Sequence, residues 1–329
     1  MGLKISVAMC TFNGGRFLGA QLESIAAQDR TPDELVICDD GSSDESVEIA
    51  RKFAARAPFF TRVEINSKNL GSTKNFERAI TLCQGPIVAF ADQDDVWYRH
   101  KLTRIERPFL QPNQPVAVFS DADLIDEQST PAGMGLWESF LFDRREQSQF
   151  HDGRALDVLV KRPVVTGATM AFRKDFLDFI FPIPPETVHD CWISFLLAAC
   201  GRLEPISEPL MQYRRYSGQQ IGPGPGPLAP IQRIKRARST GTSFYLAEIA
   251  RFRQLEDRLE QVGENFQNAD LAQREVKAKI AHLEYRVQLP RSRVARIPSV
   301  LGEAFKGSYR RYSAGWKSVA KDLMVAKAA

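Results

Sequence analysis

Apolar residues come in short unbroken runs separated by stretches of helical spacing, and this alternation holds from residue 5 to residue 92. Ile5 to Cys10 is a strand-like run that breaks at Thr11-Phe12-Asn13-Gly14-Gly15, after which Phe17, Leu18, Leu22 and Ile25 recur as on a helix face. Leu35 to Cys38 repeats the strand pattern and ends in Asp39-Asp40-Gly41-Ser42-Ser43-Asp44. Ser42 with Glu45 three residues on resembles a capping box, predicting a helix from there to about Ala57. Val63 to Ile65 reads as a short third strand, Asn69-Leu70-Gly71 turns the chain into a helix over roughly 72–83, and Ile87 to Ala91 is a fourth strand. Strands alternating with helices imply right-handed crossovers and an α/β fold with a mostly parallel sheet flanked by helices. Ligands of such sheets gather at the carboxyl ends of the strands, which puts Thr11, Phe12, Asn13, Asp39, Asp40, Asp92, Asp94 and Asp95 on one rim.

Beyond Leu110 the pattern loosens. Val116 to Phe119 is a further strand followed by a second acidic group at Asp121, Asp123 and Asp126; residues 134–162 show no clean period, and Val164 to Phe172 reads as a strand interrupted by Gly167. After the prolines at 182, 184 and 185, His189-Asp190-Cys191-Trp192 opens an apolar helix through Cys200. An acid at a helix start is favoured by the dipole, so Asp190 reads equally well as a cap. Arg214 and Arg215 sit between Tyr213 and Tyr216, and the run Gly222 to Pro227 cannot be regular structure, which divides the chain into 1–222, a linker at 223–230 and a helical extension at 231–329. In the extension Phe244, Leu246, Ile249, Phe252, Leu255, Leu259 and Val262 form a helical stripe; Pro290 and Pro298 break the chain beyond it, and Val300 to Met324 reads as a basic amphipathic helix carrying Phe305, Tyr309, Tyr312 and Trp316.

The net charge of +4 over 329 residues hides an asymmetry. Residues 228–329 hold 20 Lys and Arg against 10 Asp and Glu, so a basic tail follows an acidic body. Such a tail suits an anionic membrane surface, a nucleic acid, an acidic partner or self-association, and a merely solvated helix face has the same composition. The five cysteines are scattered and set mostly among apolar residues, which reads as reduced core thiols in a cytosolic protein without a zinc site. Neither a secretory leader nor an apolar membrane span is read.

Three carboxylates within four positions, at Asp92, Asp94 and Asp95, repel one another and raise each other's proton affinity unless something compensates. A hard divalent cation does so and leaves positions open for phosphate oxygens, so the stretch suggests a metal-bridged diphosphate; a solvated acidic turn is the other reading. Arginine pairs such as Arg214-Arg215 suit phosphate oxygens too.

Taken in order, Thr11-Phe12-Asn13-Gly14, Asp39-Asp40-Gly41-Ser42-Ser43-Asp44, Asn69-Leu70-Gly71, Asp92-Gln93-Asp94-Asp95-Val96-Trp97, Gly167-Ala168-Thr169, His189-Asp190-x-Trp192 and Tyr213-Arg214-Arg215 resemble the family 2 glycosyltransferases of the GT-A fold. Among them the chain looks most like bacterial rhamnosyltransferase-type enzymes of surface polysaccharide assembly, over residues 3 to about 222. The resemblance implies a UDP- or dTDP-sugar donor, Mg²⁺ or Mn²⁺, a glycan or lipid-linked saccharide acceptor, no nucleic acid, and work in the cytoplasm or on the cytoplasmic face of the inner membrane. It implies Thr11 and Phe12, with Asn13, at the base, Asp39 and Asp40 on base and ribose, Asp92 near ribose or metal, and Asp94 on the cation. It further implies Asp95 and Trp97 on the sugar side, Gly167 and Trp192 on the acceptor side, Asp190 as general base with inversion, and Arg214 with Arg215 as a diphosphate clamp. Two departures stand out: Tyr216 where a histidine often follows the arginines, and His189, whose cationic form would weaken the base. An inactive sugar-nucleotide-binding scaffold, or a haloacid-dehalogenase-type phosphatase with Asp92 as nucleophile, are the competing functions.

Overall fold

The computed structural model describes residues 2–216, 242–262 and 266–324, so the linker at 223–230 and the first part of the predicted extension lie outside the described residues. The described residues of 1–153 and 164–226 form one compact unit, and those of 154–163 and 227–329 a second.

The first unit is built on a nine-stranded sheet. Its strands are β1 (Ile5–Thr11), β2 (Glu34–Asp39), β3 (Phe60–Ile65), β4 (Ile87–Asp92), β5 (Val96–Trp97), β6 (Ala117–Ile125), β7 (Pro131–Gly135), β8 (Met170–Arg173) and β9 (Leu203–Arg214). They lie in the order β3-β2-β1-β4-β8-β6-β9-β5, with β7 paired to β6. β1, β2, β3 and β4 pair in parallel, as do β6 and β9; β8 runs antiparallel between β4 and β6. Two reversals restore direction, so β6 and β9 end on the same side as β1, β2 and β4. The register sets Thr11 opposite Asp39, Cys10 opposite Asp92, and Ile125 opposite Arg214.

Strands buried on both faces favour apolar residues on both, which is why β1, β2 and β4 read as near-continuous apolar runs, the buried Ser6 of β1 being satisfied by Glu34 of β2. Ile5, Val7 and Met9 join a core that includes Leu18, Leu22 and Ile25 of the helix Gly15–Ala26 and Leu102, Ile105 and Phe109 of the helix Lys101–Phe109. On Phe90 of β4 converge the rings of Phe76, Phe172 and His189.

Several expectations change. Ser42 caps no helix: its hydroxyl serves Asp39, and the next helix runs Ser46–Ala54 from Glu45 with no side-chain cap. The strand expected at Val116 to Phe119 continues to Ile125, because Asp121 and Asp123 find partners within the fold: Asp121 accepts from the Trp137 N–H at 2.9 Å and Asp123 from the Tyr98 hydroxyl at 2.6 Å. The stretch from Val164 enters β8 only at Met170, after a 3₁₀ turn at Gly167–Thr169.

In the second unit the helices Thr242–Val262 and Ala269–Gln288 pack on each other and bury Tyr245, Ile249, Phe252, Leu255 and Leu259. Phe244 and Leu246, expected in that stripe, are exposed. Pro298 does not break the chain but lies within the helix Arg293–Phe305; the breaks come instead before Ser308–Tyr312 and before Trp316–Met324. Tyr309 is buried, its hydroxyl donating to Asp322 at 2.7 Å while Arg286 binds both oxygens of that carboxylate. No described helix is long and apolar enough to cross a membrane.

Candidate active site

Three neighbouring parallel strands stop together and their loops are sewn to one another. Asp39 at the end of β2 is buried and accepts from the Thr11 hydroxyl at 2.8 Å, the Ser42 hydroxyl at 2.6 Å and the N–H groups of Ser42 and Gly41. Asp40 accepts from Asn66 Nδ2 and Leu70 N–H at 2.7 Å and from Gly71 N–H at 2.9 Å, which fixes the Asn69-Leu70-Gly71 turn at the head of the helix Ser72–Leu82. Both carboxylates are thus engaged by the chain's own donors. Asn13, in the left-handed region at φ 47°, accepts from Ser43 N–H at 2.9 Å, and Phe12 stands at the lip with 37% of its surface exposed. Gln93, which no sequence pattern singles out, holds Phe12 by its main chain.

The acids after β4 are crowded. Burial raises the Asp92 pKa to about 7, helped by the charges of Asp94 and Asp190. Burial likewise raises Asp94, against a hydrogen bond donated by the Tyr216 hydroxyl, so Tyr216 is a partner of that carboxylate. Asp95 is pushed up by burial and by Asp94 and Asp92; its Oδ1 accepts from Arg214 N–H at 3.0 Å, and its Oδ2 is buried with no partner. Beneath them lies Lys101, fully buried, donating to the Ala168 carbonyl at 2.7 Å, with its ammonium 4.0 Å from the centre of the Trp97 ring. Burial lowers its pKa to about 7 against the pull of Asp95 and Asp92. A lysine inside a mixed helical pattern gives no sequence signal of such a role.

Asp190 reaches this group from the first turn of the helix His189–Cys200. Its Oδ2 accepts from Gly167 N–H at 3.0 Å, and its Oδ1 is buried without a partner among the described residues. Gly167 has to be glycine, because a Cβ there would stand 2.9 Å from His189 Nε2. His189 is stacked on Phe76 at 4.2 Å, and burial lowers its pKa although Asp190 pulls it up. The cationic form considered from sequence is therefore disfavoured. Trp97 and Trp192, expected on the sugar and acceptor sides, are both in the interior; Trp192 Nε1 donates to the Ile180 carbonyl at 2.8 Å.

The two arginines part. Arg214 is buried, donates through Nε to the Asp94 carbonyl at 2.8 Å and through Nη1 to the Asp126 carbonyl and the Ser129 hydroxyl at 2.9 Å, and lies 4.5 Å over the Phe17 ring. It braces the acidic loop from inside. Arg215 is half-buried, and its Nε and Nη2 have no partner among the described residues.

Buried carboxylates with raised proton affinity, Asp92 by burial and by the charges of Asp94 and Asp190 and Asp94 by burial, fit a hard cation, and these two are the residues that could hold one. Among the described residues no three His, Cys, Asp or Glu side chains are arranged so as to hold a metal ion by themselves, so other ligands would have to come from a bound diphosphate and water.

The sequence matches the family Glycosyl transferase family 2 over residues 6–181. It is 33% identical over 259 residues to the dTDP-rhamnosyl transferase RfbG of Shigella flexneri, covering 74% of this chain and 82% of that protein. It is 31% identical over 221 residues to an uncharacterized glycosyltransferase of Nostoc, 64% of this chain, and spans 65% of that relative's length. The fold is similar to that of Staphylococcus aureus TarS 1–349 in its complex with UDP-GlcNAc, with a TM-score of 0.58 and 17% identity over 86% of this chain and 73% of that one. The phosphatase reading of Asp92 falls with this match. Strand order, rim and sequence agree, and this chain belongs to glycosyl transferase family 2, with a GT-A fold.

Proposed function

We propose that this chain is an inverting glycosyltransferase that moves a sugar from a UDP- or dTDP-sugar to a hydroxyl of a glycan or lipid-linked saccharide in surface polysaccharide assembly. Asp190 carries the reading. One of its oxygens is held by Gly167 N–H, the other is buried with no partner among the described residues, and the charge of the carboxylate raises the proton affinity of Asp92. A carboxylate so held takes the proton of an incoming hydroxyl, and a single base supports a single displacement with inversion. Phe12 and Asn13 at the lip, backed by Thr11, meet the base, while Asp39 and Asp40 keep that lip in place and meet base and ribose through it. Asp94 with Asp92 would hold Mg²⁺ or Mn²⁺, and such a cation would supply positive charge for the departing diphosphate. Arg215 supplies N–H donors to the diphosphate, and Arg214 keeps the acidic loop in shape for it. Asp95 and Trp97 support the sugar side and Gly167 and Trp192 the acceptor side from behind. The Shigella relative's name supports a dTDP-sugar. We read residues 1–222 as the transferase domain and 231–329 as a helical extension, and the free cysteines support a cytoplasmic setting.

Calorimetric titration with UDP, dTDP and GDP, with and without Mn²⁺, tests the reading alongside Asp94→Ala. Metal-dependent binding of one nucleotide, lost in the variant, is expected. No binding of any of the three would overturn the reading.

A further inference from the structure

The helix Arg293–Phe305 is apolar on the wrong side for a globular protein. Its inner face is fixed: Arg296 is 1% exposed and donates to the Asp322 carbonyl at 2.6 Å, and Val300 packs with Leu289, Tyr309 and Val319. At 3.6 residues per turn, Val294, Ile297, Leu301 and Phe305 fall within about 80° of one another, on a second face turned roughly 125° from Arg296 and Val300. All four are exposed, Val294 at 76% and Phe305 at 87%, and Trp316, in the helix Trp316–Met324, is exposed at 74%. Apolar side chains turned outward by a packed inner face mark an interaction surface.

Its charge says what it meets. Arg291, Arg293 and Lys306 at the two ends of this helix, and Arg310 and Lys317 in the two helices that follow, are exposed, and from residue 289 to 324 no carboxylate is exposed: Asp322 is buried, and Glu303 is largely covered beside His282 and Lys306. A second copy docking face to face would bring these cations against their own kind. An anionic surface complements them, and an outward apolar stripe flanked by Lys and Arg with an exposed tryptophan is the composition that seats at a lipid headgroup boundary.

We propose that the stripe Val294, Ile297, Leu301 and Phe305, with Trp316 and the surrounding cations, binds the surface of an anionic lipid bilayer. This goes beyond the transfer reaction and does not depend on it. The single basic amphipathic helix expected over Val300 to Met324 is instead divided among three helices, in which Tyr309 is buried and Tyr312 half-buried while Phe305 and Trp316 are exposed.

The test is co-sedimentation of the full chain with phosphatidylcholine vesicles and with vesicles containing phosphatidylglycerol. Binding is expected to the anionic vesicles only and to fall with added salt. Each exposed cation reversed to Glu, as in Arg293→Glu or Arg310→Glu, should weaken it about fivefold or more. Leu301→Glu with Phe305→Glu should abolish it with the thermal melt unchanged, and Trp316→Ser, in a different helix, should weaken it on its own. No sedimentation of the wild type with anionic vesicles overturns the proposal, and so does binding that ignores both the apolar and the charge variants. A concentration-dependent dimer removed by Leu301→Glu with Phe305→Glu, in a chain that ignores vesicles, would assign the surface to a second copy.

Discussion

Gln93 grips Phe12 by both of its main-chain groups, its Oε1 accepting from Phe12 N–H at 2.8 Å and its Nε2 donating to the Phe12 carbonyl at 3.1 Å. An amide used this way imitates one more rung of a sheet ladder. It joins the loop after β1 to the acidic loop after β4, so the lip expected to meet the base and the carboxylates expected to meet the diphosphate move as one piece.

Gly14 is part of the same device. A Cβ at that position would stand 2.1 Å from Gln93 Oε1, so Gly14→Ala has to push the amide off Phe12. Gln93→Ala and Gly14→Ala should each weaken nucleotide binding several-fold, with a loss of stability of about 1 kcal/mol. Because both break one interaction, the double variant should cost little more than either single one. Titration of the three variants with the preferred nucleotide checks this, and full additivity would show that the two residues act separately.

Asp190→Asn keeps the acceptor that Gly167 N–H uses and removes the negative charge. Transfer should fall by about 10²–10⁴, the usual worth of a general base, while nucleotide affinity stays within about twofold. Gly167→Ala should fail differently, since its Cβ would meet His189 Nε2 at 2.9 Å and shift the helix start that carries the acid. Initial rates beside calorimetry separate the two.

Legibility from sequence followed burial. β1, β2 and β4, covered on both faces, announce themselves as near-continuous apolar runs, and the helix at His189 announces itself through Pro182 to Pro185 and the apolar run behind them. The far half of β6 was invisible because Asp121 and Asp123 look like a loop until Trp137 and Tyr98 are brought to them. Pro298 looked like a helix breaker, yet it is exposed within Arg293–Phe305, where water can meet the carbonyl it leaves unpaired. Lys101 and Gln93 could not be found at all, since each acts through contacts across more than sixty residues of chain. The carboxylates that were legible turned out to be of two kinds: Asp39 and Asp40 satisfied by the fold, and Asp92, Asp94 and Asp190 crowded against one another.

That crowding gives a pH dependence with a definite sign. The Asp92 pKa rises from an ordinary 3.8 to about 7 on folding. Between those values the unfolded chain has released a proton that the folded chain keeps, so stability falls as pH rises through this window. The wild type should therefore melt lower at pH 8 than at pH 5.5 by more than Asp92→Asn does. Mn²⁺ should restore part of the difference at pH 8 in the wild type and less in Asp94→Ala. Parallel melting curves for wild type and Asp92→Asn across the window would show that the carboxyl is not strained by folding.

The arginine pair should divide the same way in the test tube as in the structure. Arg214 satisfies Asp95, two main-chain carbonyls and Ser129 from a buried position. Its main-chain N–H survives substitution, but removing the guanidinium leaves Asp94 and Asp95 with less compensation, so Arg214→Ala should cost about 3 kcal/mol of stability. Arg215→Ala removes two donors, Nε and Nη2, that have no partner among the described residues, and stability should change by less than about 1 kcal/mol. Its loss should appear instead as a tenfold or greater fall in affinity for the nucleoside diphosphate, the worth of a charged hydrogen bond, with affinity for the nucleoside unchanged. If nucleoside and diphosphate weaken together, Arg215 supports the pocket rather than the phosphates; if neither changes, the diphosphate is held by the metal and the acidic loop alone.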